Sequence, residues 1–181
     1  MAETDTETGA PPRLLIIVAA VLVVGLAVGV AIFGIKASSI GNTAPDGQLA
    51  LVPVPAPHSG EAPCRTLIDA VPSSLTSNGA QLTVRDLATP APPSTVAWGE
   101  GDPIVLRCGL DKPPELTPSA QLRLVNGVQW LQVTGEGAAT WYIVDRDVYT
   151  ALTVPDNAGT GPLQEISDVV AAKLPARPLH F

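Results

Sequence analysis

The longest run of hydrophobic positions lies near the N-terminus, at residues 14–35, where 22 residues carry no charge and no side-chain hydrogen-bonding group. As an α-helix rising about 1.5 Å per residue, this run would extend about 33 Å, close to the roughly 30 Å hydrocarbon thickness of a bilayer. A buried helix of a globular domain would show a polar stripe, which this run lacks. The pattern therefore predicts one transmembrane helix.

A cleaved signal peptide is the alternative interpretation of the same run. Signal peptides begin with basic residues and have an apolar core of about 7–15 residues. This chain begins with Glu3, Asp5 and Glu7 against a single Arg13, and its apolar run is longer than such a core. Small residues at 37–44 nevertheless leave cleavage open.

Both cysteines fall on faces that the local pattern predicts to be buried. Helical spacing in residues 63–71 places four apolar residues on one side: Cys64, Leu67, Ile68 and Val71. Alternation in residues 103–108 places Ile104, Leu106 and Cys108 on one face of a strand. We therefore expect a disulfide between Cys64 and Cys108, worth about 3–4 kcal/mol in the chain-entropy model. Two separate buried thiols are the alternative.

Residues 121–133 give the strongest local signal, because Asn126-Gly127 separates two alternating runs and predicts a two-residue hairpin turn. Pairing Val125 with Val128 sets the register and sorts the side chains onto two faces. One face, which we expect to be the core, carries Leu122, Leu124, Leu131 and Val133. The other carries Arg123, Val125, Val128 and Trp130, with Arg123 opposite Trp130 for a guanidinium–indole stack on a half-exposed face.

Four further segments rich in β-branched or aromatic residues predict strands at 81–87, 95–98, 141–145 and 148–154. An apolar stripe at 162–174, opened by Pro162 and stopped before Pro175, predicts a closing helix. No helices alternate with the strands, so the expected fold class is α+β: one N-terminal transmembrane helix plus a small extracytoplasmic domain with an antiparallel sheet and two helices.

Composition divides the chain into five parts: a disordered tail at 1–13, the span at 14–35, a linker at 36–62, the domain at 63–175 and a C-terminal tail at 176–181. Alternate prolines at 53, 55 and 57 favour an extended spacer that holds the domain off the membrane. A coil packed on the domain is the alternative for the linker, since it carries the apolar residues Leu49, Leu51, Val52 and Val54.

Orientation across the membrane depends on the cysteines. Arg13 and Lys36 flank the span on opposite sides, so the positive-inside rule gives no direction. A cysteine pair in a compact domain forms a disulfide in an oxidising compartment, which predicts a cytoplasmic N-terminus and an extracytoplasmic domain in the cell membrane. Gly25 and Gly29 form a GxxxG motif that would allow the spans of two copies to contact each other as a homodimer.

Charge and side-chain chemistry exclude several classes of function. From residue 37 onward the net charge is 8 − 14 = −6, which disfavours nucleic acid and anionic lipid surfaces as partners. His58 and His180 lie outside the predicted domain, and the sequence lacks metal, phosphate-loop and nucleophile motifs. We therefore expect no enzyme activity, no metal and no cofactor. The nearest carboxylate pair, Asp145 and Asp147, is interpreted as a solvated strand end or turn neutralised by Arg146, with cation binding as the alternative.

Aromatic residues leave binding open, because exposed rings contact sugars, peptides and proteins alike. Trp130, with Arg123 and Trp98, is the candidate site, although most rings of a small domain fill its core. The leading hypothesis is a non-enzymatic envelope protein whose outer domain contacts a protein partner. The alternative is a module that binds cell-wall saccharide or a small molecule. A pocket lined by two or more tryptophans would favour the ligand, and a flat apolar patch would favour the partner.

Several of these segments together resemble a known family. They are Cys64-Arg65-Thr66-Leu67, Trp98-Gly99, Pro103-Ile104-Val105-Leu106-Arg107-Cys108-Gly109, Val125-Asn126-Gly127-Val128-Gln129-Trp130, and Asp145-Arg146 with Tyr149. Over residues 53–175 the chain resembles the actinobacterial membrane-anchored family called domain of unknown function 3515. The resemblance implies an uncharacterised single-pass or secreted envelope protein of a Gram-positive actinobacterium, and it brings no activity, ligand or catalytic residues with it.

Overall fold

The computed structural model describes residues 47–181. The predicted tail at 1–13, the predicted span at 14–35 and its glycines Gly25 and Gly29 lie outside the described residues. Between residues 47 and 181, neither helix has the length and apolar character needed to cross a bilayer.

Residues 47–181 contain two helices and eight strands. In chain order these are α1 (Ala62–Ala70), β1 (Ser74–Ser77), β2 (Ala80–Thr83), β3 (Thr95–Trp98), β4 (Ile104–Leu110), β5 (Leu122–Val125), β6 (Val128–Thr134), β7 (Ala138–Ile143), β8 (Tyr149–Pro155) and α2 (Gly161–Lys173). Six strands form one antiparallel sheet in the order β3-β4-β8-β7-β6-β5, and β1 pairs with β2 in a separate hairpin. The described part of the chain is therefore an α+β domain with two helices, as predicted.

Both helices have proline in the first turn, which suits this residue because the N–H that it lacks would have no intrahelical partner there. α1 has Pro63 in its first turn and buries Cys64 and Leu67. α2 has Pro162 in its first turn and buries the predicted stripe, including Leu163, Ile166 and Val170. The hydrophobic spacing therefore placed both helices to within one residue at each end.

The β5–β6 hairpin has the predicted register, but both of its faces contribute to a core. Asn126 and Gly127 both have positive φ, and Val125 pairs with Val128 and Arg123 with Trp130. Trp130 is fully buried, whereas Leu124 is 73% exposed. The predicted core face is confirmed at Leu131, which is 4% exposed and packs in a cluster with Leu116 and Val144. The other face is buried as well, because α2, far along the chain, packs on Val128 and Trp130.

The two faces of the sheet are covered by different kinds of structure. On the helix face, α1, α2 and β1 pack on the strands around Trp98, Leu106, Trp130 and Leu152. On the opposite face, two smaller clusters form beneath segments without regular secondary structure. One gathers Leu49, Ala97 and Val105, and the other gathers Leu116, Leu131, Val144 and Leu179.

Chain on both sides of residues 63–175 packs on the domain. Leu49 is 1% exposed, and its N–H donates to the carbonyl of Asp86. The packed-coil alternative for the linker thus describes Leu49 and Leu51, while Val52 and Val54 are exposed. Near the C-terminus, the Arg177 N–H donates to the carbonyl of Asp145.

A close backbone approach fixes the part of the linker that precedes α1. The His58 N–H donates at 3.0 Å to the carbonyl of Gly109, which follows the disulfide-bonded Cys108 in β4. Gly109 has φ +87°, and a Cβ there would lie 2.2 Å from the Ser59 nitrogen. Only glycine therefore fits where the linker crosses β4.

Candidate functional site

The two cysteines form the predicted disulfide. Cys64 of α1 and Cys108 of β4 are fully buried and bonded to each other, with their Cα atoms 5.5 Å apart. The alternative of two free thiols is therefore wrong. The bond attaches the first helix to an interior strand of the sheet.

Two of the predicted binding residues, Trp98 and Trp130, are core residues. Neither ring has exposed surface, and each indole N–H already has an acceptor: the Pro72 carbonyl for Trp98 and the Ser167 hydroxyl for Trp130, both at 2.9 Å. The half-exposed face predicted for Trp130 was wrong because α2 covers it. Arg123 is exposed on β5 but has no accessible ring beside it to complete the predicted site.

Asp145 and Asp147 occupy different environments and do not form one carboxylate site. The chain bends at residues 145–148, and Asp145 lies inside, only 4% exposed. Its Oδ1 lies 2.9 Å from Nη1 of the equally buried Arg146, and the Gln129 N–H donates to its Oδ2 at 3.1 Å. The predicted turn and the predicted neutralisation of Asp145 by Arg146 are confirmed. The prediction that Asp145 is solvated was wrong, because the residue is buried. Buried charges of this kind are tolerated only when paired.

Asp147 points outward and pairs with the C-terminal segment. Arg177 Nε donates to Asp147 Oδ1 at 2.7 Å, and this hydrogen bond holds the pKa of Asp147 below its usual value. The Arg146 Nη2 donates to the Gly127 carbonyl at 3.3 Å. These contacts connect the bend to the hairpin turn and to the chain end, so they are structural.

Two further ionisable residues, Arg107 and Tyr142, lie on the opposite face of the sheet. Ala151 of β8 lies between them and pairs with Arg107 of β4 and with Tyr142 of β7. Burial raises the pKa of Tyr142, with Glu115 adding to the rise and Arg107 opposing it. Desolvation lowers the pKa of Arg107, whose buried Nε has no hydrogen-bond acceptor in the described part of the chain. Among residues 47–181, no group of three or more His, Cys, Asp or Glu is placed to hold a metal ion.

The two edges of the six-stranded sheet differ. At β3 the edge is covered by the end of β2 and the chain that follows it: the Arg85 N–H donates to the Ala97 carbonyl, and the Gly99 N–H donates to the Thr83 carbonyl. At the other edge, β5 pairs with β6 alone among the described strands. Because Val125 and Val128 flank a two-residue turn, the backbone groups of Leu122 and Leu124 point away from β6. This open edge, residues 122–125, also carries the exposed Leu124.

Trp141 lines a cleft on the helix face. The cleft has a volume of about 150 Å³ and lies between β6, β7, the chain after β8 and the first turn of α2. Trp141 is partly exposed there and pairs across the strands with Gln132. The sequence pattern placed residue 141 in a predicted strand and favoured Trp130 as the binding residue. Only the register of β6 with β7, which depends on the turn at residues 135–137, places Gln132 beside Trp141.

These features define a small α+β domain with one internal disulfide, one open sheet edge and a shallow aromatic cleft. The chain matches the family described as Protein of unknown function (DUF3515) over residues 16–179, and it belongs to that family. No curated protein and no solved structure matches it.

Proposed function

We propose that this protein is a non-enzymatic, single-pass membrane protein of the cell envelope whose folded domain contacts a protein partner through the open edge at residues 122–125. The observation that carries the proposal is the pairing asymmetry of the sheet. The β3 edge is covered by its own chain, whereas β5 presents backbone groups that nothing within residues 47–181 pairs, beside the exposed Leu124.

An open edge accepts an extended segment as an additional strand, with main-chain hydrogen bonds providing affinity and alternate side chains providing specificity. Natural sheets usually cover such an edge, as this chain does at β3. Here Leu124 and the exposed Arg123 point to opposite faces of β5. The partner segment we expect is therefore extended, apolar on the Leu124 side and acidic on the Arg123 side.

Membrane anchoring rests on the apolar run at 14–35, most of which lies within the family match. The Cys64–Cys108 disulfide supports an extracytoplasmic domain, because disulfides persist in oxidising compartments. Gly25 and Gly29 support pairing of two spans. A phosphatase fused after Phe181 should be active outside the cytoplasm, and an active cytosolic reporter at the same position would overturn this topology.

The partner contact can be tested in cells with a photo-reactive amino acid placed in the full-length chain. We expect replacement of Leu124 to yield a crosslinked protein identifiable by mass spectrometry. Val52 is the matched control, because it is 74% exposed against 73% for Leu124 and lies outside the sheet. Identical products from both positions, or none from position 124, would overturn the proposal.

A matched set of substitutions tests the chemistry of the edge. Arg123→Glu should weaken crosslinking from position 124 by reversing the charge offered to an acidic segment. Arg65→Glu makes the same charge change on the exposed surface of α1 and should leave the crosslink intact. Equal crosslinking in both variants would show that an acidic partner segment is not what β5 binds.

A further inference from the structure

Trp141 differs from the other two tryptophans in the exposure and the hydrogen bonding of its indole ring. Trp98 and Trp130 are fully buried, and each donates its indole N–H to an acceptor in the protein. Trp141 is partly exposed, and within residues 47–181 its N–H has no acceptor. Trp141 therefore offers both exposed ring surface and an indole N–H that no group of the described domain occupies to a ligand in the cleft.

The cleft surrounding this ring has polar groups of mixed hydrogen-bonding character. Gln132 lies directly across from Trp141, and its side-chain amide makes no hydrogen bond elsewhere in the described domain. Thr160 precedes α2 without using its hydroxyl to cap the helix. Asp156 adds a carboxylate at the rim, and Leu163 and Val154 complete the apolar wall.

From this arrangement we infer that the Trp141 cleft binds one ring of a neutral saccharide. A sugar ring has an apolar C–H face that stacks on an indole, and its hydroxyl groups both donate and accept hydrogen bonds. The amide of Gln132 and the hydroxyl of Thr160 also do both, and the indole N–H donates. The aromatic floor and the mixed rim thus match the two kinds of surface on a sugar.

Charge and size narrow the class of ligand. No Lys, Arg or His lines the cleft, and Asp156 repels anions. A quaternary ammonium ion would use the indole and the carboxylate but would leave the donors of Gln132 and Thr160 without acceptors. Pockets for drug-sized ligands measure about 300–1,000 Å³. A cleft of about 150 Å³ instead fits a single ring, with the rest of a glycan extending into solvent.

This inference does not rest on the proposed partner contact. The cleft is formed by β6, β7, the chain after β8 and the start of α2, whereas the partner contact uses β5. Loss of saccharide binding would leave crosslinking from position 124 intact. The reverse also holds, so the failure of one proposal can be distinguished from the failure of the other.

The test is a binding titration of the full-length protein in detergent micelles, followed by tryptophan fluorescence and by calorimetry. The probes are neutral tetrasaccharides of glucose, galactose, mannose and N-acetylglucosamine, with choline as the cationic competitor. We expect at least one tetrasaccharide to bind with a dissociation constant in the millimolar range or tighter, which corresponds to about −4 kcal/mol. Absence of binding by all four, or binding of choline alone, would overturn the inference.

Variants locate the binding to the cleft. Trp141→Leu keeps an apolar side chain against the core and should weaken the saccharide at least about tenfold, because the stacking surface is lost. Gln132→Ala should weaken it several-fold without altering the apolar wall. Thr134→Ala, a matched polar change at the end of the same strand and outside the cleft lining, should bind normally. If Trp141→Leu fails to fold, Gln132→Ala alone tests the location of the site. Unchanged saccharide affinity in Gln132→Ala would contradict binding in the Trp141 cleft.

Discussion

Apolar side chains are buried on both faces of the six-stranded sheet, but different kinds of structure cover them. On the helix face, two amphipathic helices and a disulfide cover a core that includes two fully buried tryptophans. On the opposite face, the covering segments have no regular secondary structure and come from the ends of the domain and from the chain before β5. Trp130 and Leu131 are neighbours in β6, yet they belong to these two different cores.

The two faces differ in whether one continuous element or several separate segments bury them. Helix α2 buries its stripe as one cooperative unit, whereas the opposite face depends on separate contacts such as the Leu49 backbone bond and the Arg177 pair. Segments that are held by separate contacts can detach one at a time without unfolding of the whole face. The helix face should therefore respond more strongly to a single truncation than the opposite face.

The largest effect is expected from Trp130→Ala, at about 3–5 kcal/mol of lost unfolding free energy, because it empties a large site beneath α2 and removes the partner of Ser167. Leu131→Ala, on the next residue and the opposite face, should cost about 2–3 kcal/mol. Urea unfolding of the two variants against wild type measures both values. Equal losses, or a larger loss at Leu131, would show that the two cores are equivalent.

Removing the cross-link should have the next largest effect. Replacing both Cys64 and Cys108 with alanine should lower the unfolding free energy by about 2–4 kcal/mol, since the unfolded chain regains the entropy of an open loop. Urea unfolding with and without reductant checks this. Wild type should lose stability on reduction while the double variant stays unchanged, and a wild type insensitive to complete reduction would contradict the prediction.

A smaller, pH-dependent effect is expected at the C-terminal cover of the opposite face. Arg177 lowers the pKa of Asp147 in the folded state, so the pair stabilises the protein above the unfolded pKa of about 3.9. That stability is lost as pH falls through the lower folded pKa. Asp147→Asn should therefore reduce Tm slightly at pH 6, and the difference should vanish in strong acid.

Thermal unfolding between pH 6 and pH 2.5 measures this difference, and Arg177→Gln is the matched variant because it removes the other member of the pair. Both variants should show the same pH dependence. A difference from wild type that persists at pH 2.5 would mean that Asp147 contributes through packing and not through its charge.

The smallest effect on stability is expected at the open edge. Leu124→Ala should change the unfolding free energy by less than about 0.5 kcal/mol, because the side chain is already 73% exposed. Urea unfolding compares it directly with Leu131→Ala on the neighbouring strand. A cost similar to that of Leu131 would place Leu124 in a core and would remove the open edge from the proposed partner contact.

Much of the fold was predictable because its signals are local. Proline, spacing and stop residues placed both helices, and Asn126-Gly127 set the hairpin register. Strand β1 was missed, since Ser74–Ser77 has only one large apolar residue and is held by contacts such as the Thr76 N–H bond to Glu165. The strand predicted at 81–87 ends at Thr83, after which single bridges at Val84 and Leu87 replace regular pairing.

The candidate sites were less predictable, because exposure depends on which distant segment covers a given side chain. Trp130 and Trp141 are both strand residues on the helix face, but α2 covers the Trp130 ring, whose N–H donates to Ser167, and leaves Trp141 partly exposed beside its first turn. Asp145 lies only two residues before the exposed Asp147 but is buried, because the chain bends there and Asp145 pairs with Arg146 and with the Gln129 N–H.

The sequence by itself determined the apolar run at 14–35, the two amphipathic helices, the hairpin and the inward direction of both cysteines, since each follows from spacing within a few residues. Only the tertiary structure decided which face of β6 lies under α2, which edge stays open and which tryptophan reaches solvent. A period of two distinguishes the two faces of a strand, but the residues that cover each face lie far away in the chain.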